Sequence, residues 1–513
     1  SPTSPLWSPD SQYLAFLWND TESPGREVWI VNGNGSGLRQ LTSKVDGEGG
    51  VKIFAWTPNA EDLIYVRLGD LWHISLDNRE GKRLTNTGGN KSNLAVSPDG
   101  RYASYLQDGD LWILNLKSGT LAQRTRVGVP SISKVPIGRY NRPDVEIGSY
   151  VWGGPTYAWS PDSRTIAVHY VDRRNMRKVP FPHYLGKETV ANNVRRGYPG
   201  DPNEFRTIGF FSVESGDLNL LDIPSPTANR VAGFSWSQSG KLLLDQESDT
   251  ATDRWLYTVD PTDGRLKEIW HDHRDKRIYT SIASAWHSDG NRVVFLSDLN
   301  DRYGLYLLTP GEENPDLLTN QSFDVTSAPL ISVSANRIFF QSNEPSPYER
   351  HVFYVNAEGG ASTRVSSIPG QHRPYPSPNG MRVALIHSSD LKPPELYLVD
   401  TLSDLTETQI TNSLNPDFMS LSLVKPRYTT FKSQIDDYTL HARILEPPNL
   451  KRGKRYPVIF GPAYSNTVRN RWAGTVGLLQ QLMLERGYIA VSYTHLRAHE
   501  TKANLVCRRL LEK

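Results

Sequence analysis

The sequence predicts a mainly β fold: a β-propeller of seven or eight blades, followed by the opening of an α/β unit. Three observations predict it. A short phrase recurs eight times along the first four-fifths of the chain. At 513 residues the chain is too long for one ordinary domain, unless it is a repeat array. Its 39 Gly, 35 Pro, 24 Tyr and 13 Trp suit β-structure broken by many turns.

The phrase is an aromatic or apolar residue, then Ser-Pro-Asp or a degraded form, then a short apolar strand. It reads LWSPDSQYLAFL (6–17), AWTPNAEDLIYV (55–66), AVSPDGRYASYL (95–106), AWSPDSRTIAVH (158–169), SWSQSGKLLLDQ (235–246) and AWHSDGNRVVFL (285–296). Weaker copies are SVSANRIFFQS (332–342) and YPSPNGMRVALI (375–386). Proline fixes φ and Asp-Gly or Asn-Gly supplies turn geometry, so each phrase makes a reversal feeding a strand. Alternation such as Leu14/Phe16 and Val293/Phe295 turns one face of each strand toward a neighbour. A second strand follows each phrase, and several units close on Leu-Thr, at Leu41-Thr42, Leu84-Thr85 and Leu318-Thr319. A four-stranded blade cannot bury both faces alone, and radial stacking solves this. A β-sandwich or two stacked β-domains would not require so regular a repeat.

Two connections are long. One contains RVGVPSISKVPIGRYNRPDVEIGSYVWGGPTY, the other DRRNMRKVPFPHYLGKETVANNVRRGYPGDPNEF. Insertions on a repeat scaffold often carry function. The second is basic at Arg173, Arg174, Arg177, Lys178, Arg195 and Arg196, for which a solvated, salt-bridged loop is the bland explanation. Near residue 425 the pattern changes. YTLHARILEPPNL reads as a strand ended by a Pro-Pro turn, and Val458–Phe460 as a short strand. GTVGLLQQLMLERGYIAVS reads as a helix with Val476, Leu479 and 482–484 apolar, capped at Gly487, then a strand. Strand, turn, helix and strand open a parallel α/β unit.

The bulk numbers exclude several classes. Lysine plus arginine number 57 and aspartate plus glutamate 55, so charge favours neither nucleic acid nor an anionic membrane. The single cysteine, Cys507, excludes an intramolecular disulfide. No apolar run is long enough to span a bilayer. The chain opens SPTSPLWSPD, without Met or a leader pattern, and its true N-terminus is expected to lie upstream. HDH at 271–273 lacks a nearby third ligand, so no metal is expected there, and no cofactor is called for. Asn19, Asn34, Asn90 and Asn320 head Asn-x-Ser/Thr triplets that matter only on a eukaryotic secretory route.

YAWSPDSRTIAVHYVDRRNMRKVPFPHYLG…GYPGDPN, followed by YTLHARILEPPNLKRGKRYPVIFGPAYSNTVRNRW…LLQQLMLERGYIAVS, resembles the prolyl oligopeptidase family of serine peptidases, in its dipeptidyl peptidase IV branch. The resemblance covers residues 1 to about 492. It implies a propeller over 1–424, the start of an α/β-hydrolase peptidase domain over 425–492, incomplete here, and a non-native tail over 493–513. It implies peptide substrates, admits a homodimer, and suggests a periplasmic or secreted location. The implied activity is a serine-type exopeptidase whose propeller gates and anchors substrate. A non-catalytic, TolB-like propeller binding a protein or peptide is the alternative. It would not need the α/β segment.

A serine nucleophile needs a histidine base and an orienting acid, on a Gly-x-Ser-x-Gly elbow. No such elbow occurs here, so the chain as given is expected not to hydrolyse Xaa-Pro reporters. Two partial sites are expected. The family presents a tyrosine whose hydroxyl completes the oxyanion hole. Phe460 occupies the aligned slot, which makes Tyr464, four residues on, the candidate donor. The branch also holds the substrate ammonium with adjacent glutamates on a propeller insertion, through charge-assisted hydrogen bonds. Neither long insertion carries such a pair, and the nearest candidates are Glu146 and Asp144. On an extended segment these two share a face; otherwise they belong to a solvent-facing acidic loop. The tail YTHLRAHETKANLVCRRLLEK resembles a translated sequencing-adapter segment. Its His495, His499 and Cys507 are therefore expected to be accidental.

Overall fold

The computed structural model describes residues 1–493, apart from 20–24, 44–48, 134–141, 150–153, 224–227, 276–278, 280, 321, 433–436, 438, 452 and 461–467. Tyr464, His495, His499 and Cys507 thus lie outside the described residues. Among the described residues, eight antiparallel sheets follow one another from Thr3 to Gln409, and each is a meander of four strands save the fourth. The first runs Thr3–Trp7, Tyr13–Trp18, Glu27–Asn32 and Arg39–Gln40. The eighth runs Gln371–Pro376, Arg382–Ser388, Glu395–Asp400 and Thr408–Gln409. The first strands of several successive sheets touch one another, and Thr3–Trp7 touches Gln371–Pro376, so the ring closes.

Among the described residues, eight apolar clusters fill the seams, one per pair of neighbouring sheets. Within the second strand of a sheet, alternate residues serve opposite seams. Leu14 and Phe16 pack with Ala384 and Leu396 of the eighth sheet, whereas Ala15 and Leu17 pack with Phe54 and Leu63 of the second. Val293 and Phe295 meet the fifth sheet, and Val294 and Leu296 the seventh. Both faces are therefore dry, which explains why these strands read as continuous apolar runs. The repeat tryptophan ties the ring together. The indole N–H of Trp56 donates to the carbonyl of Leu6 at 3.0 Å, that of Trp236 to Ala158 at 3.0 Å, and that of Trp286 to Ser235 at 3.0 Å. Trp7 does the same across the closing seam, to the carbonyl of Tyr375 at 2.8 Å.

The two insertions belong to the fourth sheet. Strands Val145–Ile147, Tyr157–Trp159, Thr165–Asp172, Phe205–Ser212 and Leu218–Leu220 form it, and Lys178–His183 pairs with Val190–Arg195 as a separate hairpin. After the eighth sheet, Arg427–Lys432, Thr439–Leu445, Ile489–Tyr493 and Val458–Phe460 form a mixed sheet, in that order. Val458–Phe460 runs parallel to Ile489–Tyr493, joined to it through the Gly474–Glu485 helix. Gly487 stands at φ 83° and ends the helix, its N–H donating to the Leu484 carbonyl at 2.9 Å. Of the helix's apolar residues only Leu484 is buried, against Leu445 and Ala490; Val476, Leu479 and Leu482 are exposed. No described helix is long and apolar enough to cross a membrane.

Candidate functional site

Antiparallel register in the fourth sheet assembles a group of charges. Val145–Ile147 pairs with Thr165–Asp172 so that Glu146 stands opposite Val171. The other edge of that strand pairs with Phe205–Ser212, Val171 facing Arg206 and Asp172 facing Phe205. Arg173 and Glu204, one residue beyond the last pair, are therefore brought together. Arg206 lies two residues from Glu204, on the same face of its strand. Arg173 Nε donates to Glu204 at 2.6 Å and Arg206 Nε to the other oxygen at 2.8 Å. Burial alone would raise the Glu204 pKa, but Arg206 and Arg173 outweigh it and hold the carboxyl below its usual range.

Glu146 joins this group from the insertion. Its Oε1 lies 2.8 Å from Arg142 and 2.9 Å from Arg173. Neither contact is angled as a hydrogen bond, so this buried oxygen carries ion pairs without a directed donor. Gly148 makes room for the carboxyl, because a Cβ there would stand 2.8 Å from Glu146 Cδ. Three guanidinium groups thus face two carboxylates, and the buried group carries one net positive charge. His169, on the central strand, is fully buried; desolvation, then Arg206, lowers its pKa to about 4.

A cavity of about 310 Å³ opens at this point. Glu146, Arg142, Asp108, Asn90, Gln107 and Thr156 are among its lining residues. Glu146 is 9 % exposed and presents the buried acid on its wall. Asp144 is 3 % exposed and does not line the cavity: Arg195, on the inserted hairpin, donates to its Oδ2 from Nε at 3.1 Å and from Nη2 at 2.8 Å. The two candidate acids thus stand in different surroundings, and both are buried. The bland explanation of the basic insertion divides likewise. Arg174 and Arg177 are exposed and pair with Asp172 and Asp201, whereas Arg173 is buried and Arg195 turns inward to Asp144.

Glu204 and Arg142 are the residues sequence reasoning misses. Glu204-Phe205-Arg206 alternates charge at strand spacing beside a long insertion, the signal that could have found it. One adjacent glutamate pair does occur, at Glu312-Glu313, outside both insertions. It is exposed in the turn between Gly304–Leu308 and Asp316–Leu317 and lines no part of the cavity. Both histidines of the HDH segment turn to Asp253, at 3.2 and 2.7 Å. Among the described residues no group of three or more His, Cys, Asp or Glu is arranged for a metal ion.

Known proteins match this architecture. Residues 89–394 match the model of the dipeptidyl peptidase IV (DPP IV) N-terminal region. A probable dipeptidyl-aminopeptidase B of Uncinocarpus reesii is 23% identical over 469 residues, covering 83% of this chain and 50% of that protein. Its counterpart in Aspergillus fumigatus is 22% identical over 526 residues, covering 91% and 55%. The chain spans about half the length of the curated relatives it matches. Among solved structures, Porphyromonas gingivalis dipeptidyl peptidase 4 superposes with a TM-score of 0.77 at 17% identity, covering 95% of this chain and 71% of that one. A putative dipeptidyl aminopeptidase IV from Bacteroides ovatus gives 0.72 at 15% identity, covering 94% and 71%. Those structures share the fold, and the match across 89–394 carries the kinship: the chain belongs to the family of the dipeptidyl peptidase IV N-terminal region.

Proposed function

We propose that this chain is the substrate-selecting part of a serine-type, dipeptidyl-peptidase-like exopeptidase that acts on short peptides, with the propeller gating access and Glu146 anchoring the peptide N-terminus. One observation carries the reading: a nearly buried carboxylate stands on the wall of the cavity, and its Oε1 is held by two guanidinium groups at 2.8 and 2.9 Å without an aligned donor. A peptide ammonium supplies such a donor, and a charge-assisted bond in a partly desolvated site is stronger than a neutral one. The closed ring of first strands supports a gating role for the propeller. Tyr464 is the proposed oxyanion donor in the α/β segment. The parallel strand pair and its connecting helix favour this reading over a propeller that only binds a partner. A periplasmic or secreted location belongs to the same proposal.

The test is calorimetric titration of the full chain with the tripeptide Ala-Pro-Ala and with its N-acetylated form. The free amine is expected to bind at least about tenfold more tightly, and Glu146→Gln to abolish that preference. Equal affinity for the two peptides would overturn the assignment of Glu146.

A further inference from the structure

Glu146 already holds two cations, and they are not equivalent. Arg173 cannot leave. Its side chain is 6% exposed, its Nε donates to Glu204 at 2.6 Å, and its Nη1 donates to the Pro143 carbonyl at 2.8 Å. Arg142 stands differently. Its side chain is 22% exposed, it lines the cavity, and among the described residues the contact that holds its guanidinium is the 2.8 Å ion pair with Glu146. Pro143 follows it and restricts the Arg142 backbone to extended conformations. Its side-chain torsions leave the guanidinium able to swing into the cavity that it lines.

The charge count turns this asymmetry into a constraint. The buried group holds three guanidinium groups and two carboxylates. An ammonium added to Glu146 with Arg142 still in place would raise the net charge to two in a region that solvent reaches poorly. Departure of Arg142 keeps the total unchanged. From this we infer that Arg142 is a resident competitor for the amine subsite: a peptide ammonium binds Glu146 by displacing the Arg142 guanidinium into the cavity, so capture of the N-terminus is an exchange of cations. The inference rests on the assignment of Glu146 to the substrate amine. Arg142 is then a specificity-determining residue. It lowers the affinity for every free amine by the fraction of time it occupies Glu146, and so demands contacts elsewhere along the peptide before the N-terminus is held. The cavity's third charged group, the exposed Asp108, offers the displaced guanidinium a carboxylate.

The experiment titrates the full chain and its Arg142→Gln, Arg142→Lys and Glu146→Gln variants with Ala-Pro-Ala and N-acetyl-Ala-Pro-Ala. Thermal melts confirm that each variant folds. Arg142→Gln is expected to tighten binding of the free amine about tenfold and to leave the acetylated peptide unchanged. Arg142→Lys keeps a cation and should stay near the wild type. If Arg142→Gln leaves the free amine unchanged or weakens it while Glu146→Gln abolishes its preference, the competitor role is wrong and the anchor stands. If both peptides tighten equally, Arg142 merely narrows the cavity, and the inference also falls. If Glu146→Gln has no effect, the anchor and the competitor fall together. Arg142→Leu serves in place of Arg142→Gln should the latter fail to fold.

Discussion

The threonine that closes several repeats, after leucine in some and Arg124 or Ile410 in others, does its work with one hydroxyl. In four sheets the threonine Oγ accepts the N–H of the second residue of the third strand: Val28 to Thr42 at 2.9 Å, Leu71 to Thr85 at 3.0 Å, Leu111 to Thr125 at 2.9 Å, and Leu396 to Thr411 at 2.9 Å. The same hydroxyl donates to the acid that begins that strand: Glu27 at 2.6 Å, Asp70 at 2.9 Å, Asp110 at 2.8 Å and Glu395 at 2.5 Å. Burial would raise the Asp70 pKa, yet Arg83, the Thr87 N–H and Thr85 together bring it down to about 2. Thr85→Val keeps the shape and strips both bonds from buried groups, so it should cost about 1–3 kcal/mol, with Thr85→Ser recovering most of it. The sixth sheet supplies an internal control. Thr319 receives the Leu305 N–H at 3.1 Å, but Gly304 stands where the acid would be. Thr319→Val should therefore cost less than Thr85→Val. Urea unfolding midpoints measure both, and equal losses would show that the acid contributes nothing.

At the scale of the element, the fourth sheet joins insertion, cavity and charge, and it makes stability depend on acid. His169 on strand Thr165–Asp172 has a folded pKa lowered to about 4, by burial and then by Arg206. His387 on Arg382–Ser388 is lowered to about 4 as well, by burial and then by His372. A depressed histidine leaves the unfolded chain binding more protons, so stability falls as pH drops from about 6.5 toward 4. The Asp390 carboxyl, raised by burial against the pull of Arg443 and Tyr428, acts in the opposite sense. Each histidine's loss is roughly 2–4 kcal/mol over that window. His169→Gln should reduce the fall in stability between pH 7 and 4.5 by roughly 2 kcal/mol, read from unfolding curves at the two values. An unchanged pH profile would show that His169 is not protonated on unfolding. Strands such as Tyr13–Trp18 and Val293–Ser297 were legible in the sequence, because seams on both sides select apolar residues at every position. The Glu146 environment was only half legible. Its presence on an insertion could be read, but Arg173 and Glu204 are 31 residues apart, and only strand register shows that they meet. Exposure of Val476, Leu479 and Leu482 was hidden too, since helical periodicity marks a face without saying what covers it.

At the scale of the whole molecule, the ring and the α/β segment are joined by a small polar contact. Asp390 follows the second strand of the eighth sheet. Arg443 Nε donates to its Oδ1 at 2.8 Å and the Tyr428 hydroxyl donates to its Oδ2 at 2.6 Å, both from the mixed sheet. The Asp390 N–H donates to Asn470 Oδ1 at 3.0 Å, and the Asn470 N–H reaches the Tyr348 carbonyl at 2.8 Å. The Tyr348 ring stacks on Tyr428 with centroids 4.4 Å apart. Asp390 and Arg443 side chains are 6% and 7% exposed, so each charge relies on the other for its solvation. Removing one partner of such a pair leaves a buried charge uncompensated, whereas removing both loses little. Arg443→Leu should therefore cost about 3–5 kcal/mol, and Asp390→Leu a similar amount, while the double variant should recover most of the loss. A double-mutant cycle in urea isolates the coupling, expected at about 2 kcal/mol or more. A coupling under about 0.5 kcal/mol would place the attachment of the α/β segment in the Tyr348–Tyr428 stack and the Asn470 contacts instead. The single variants should also loosen that segment from the ring. Limited proteolysis between 412 and 426 should then accelerate in each of them and return toward the wild-type rate in the double variant.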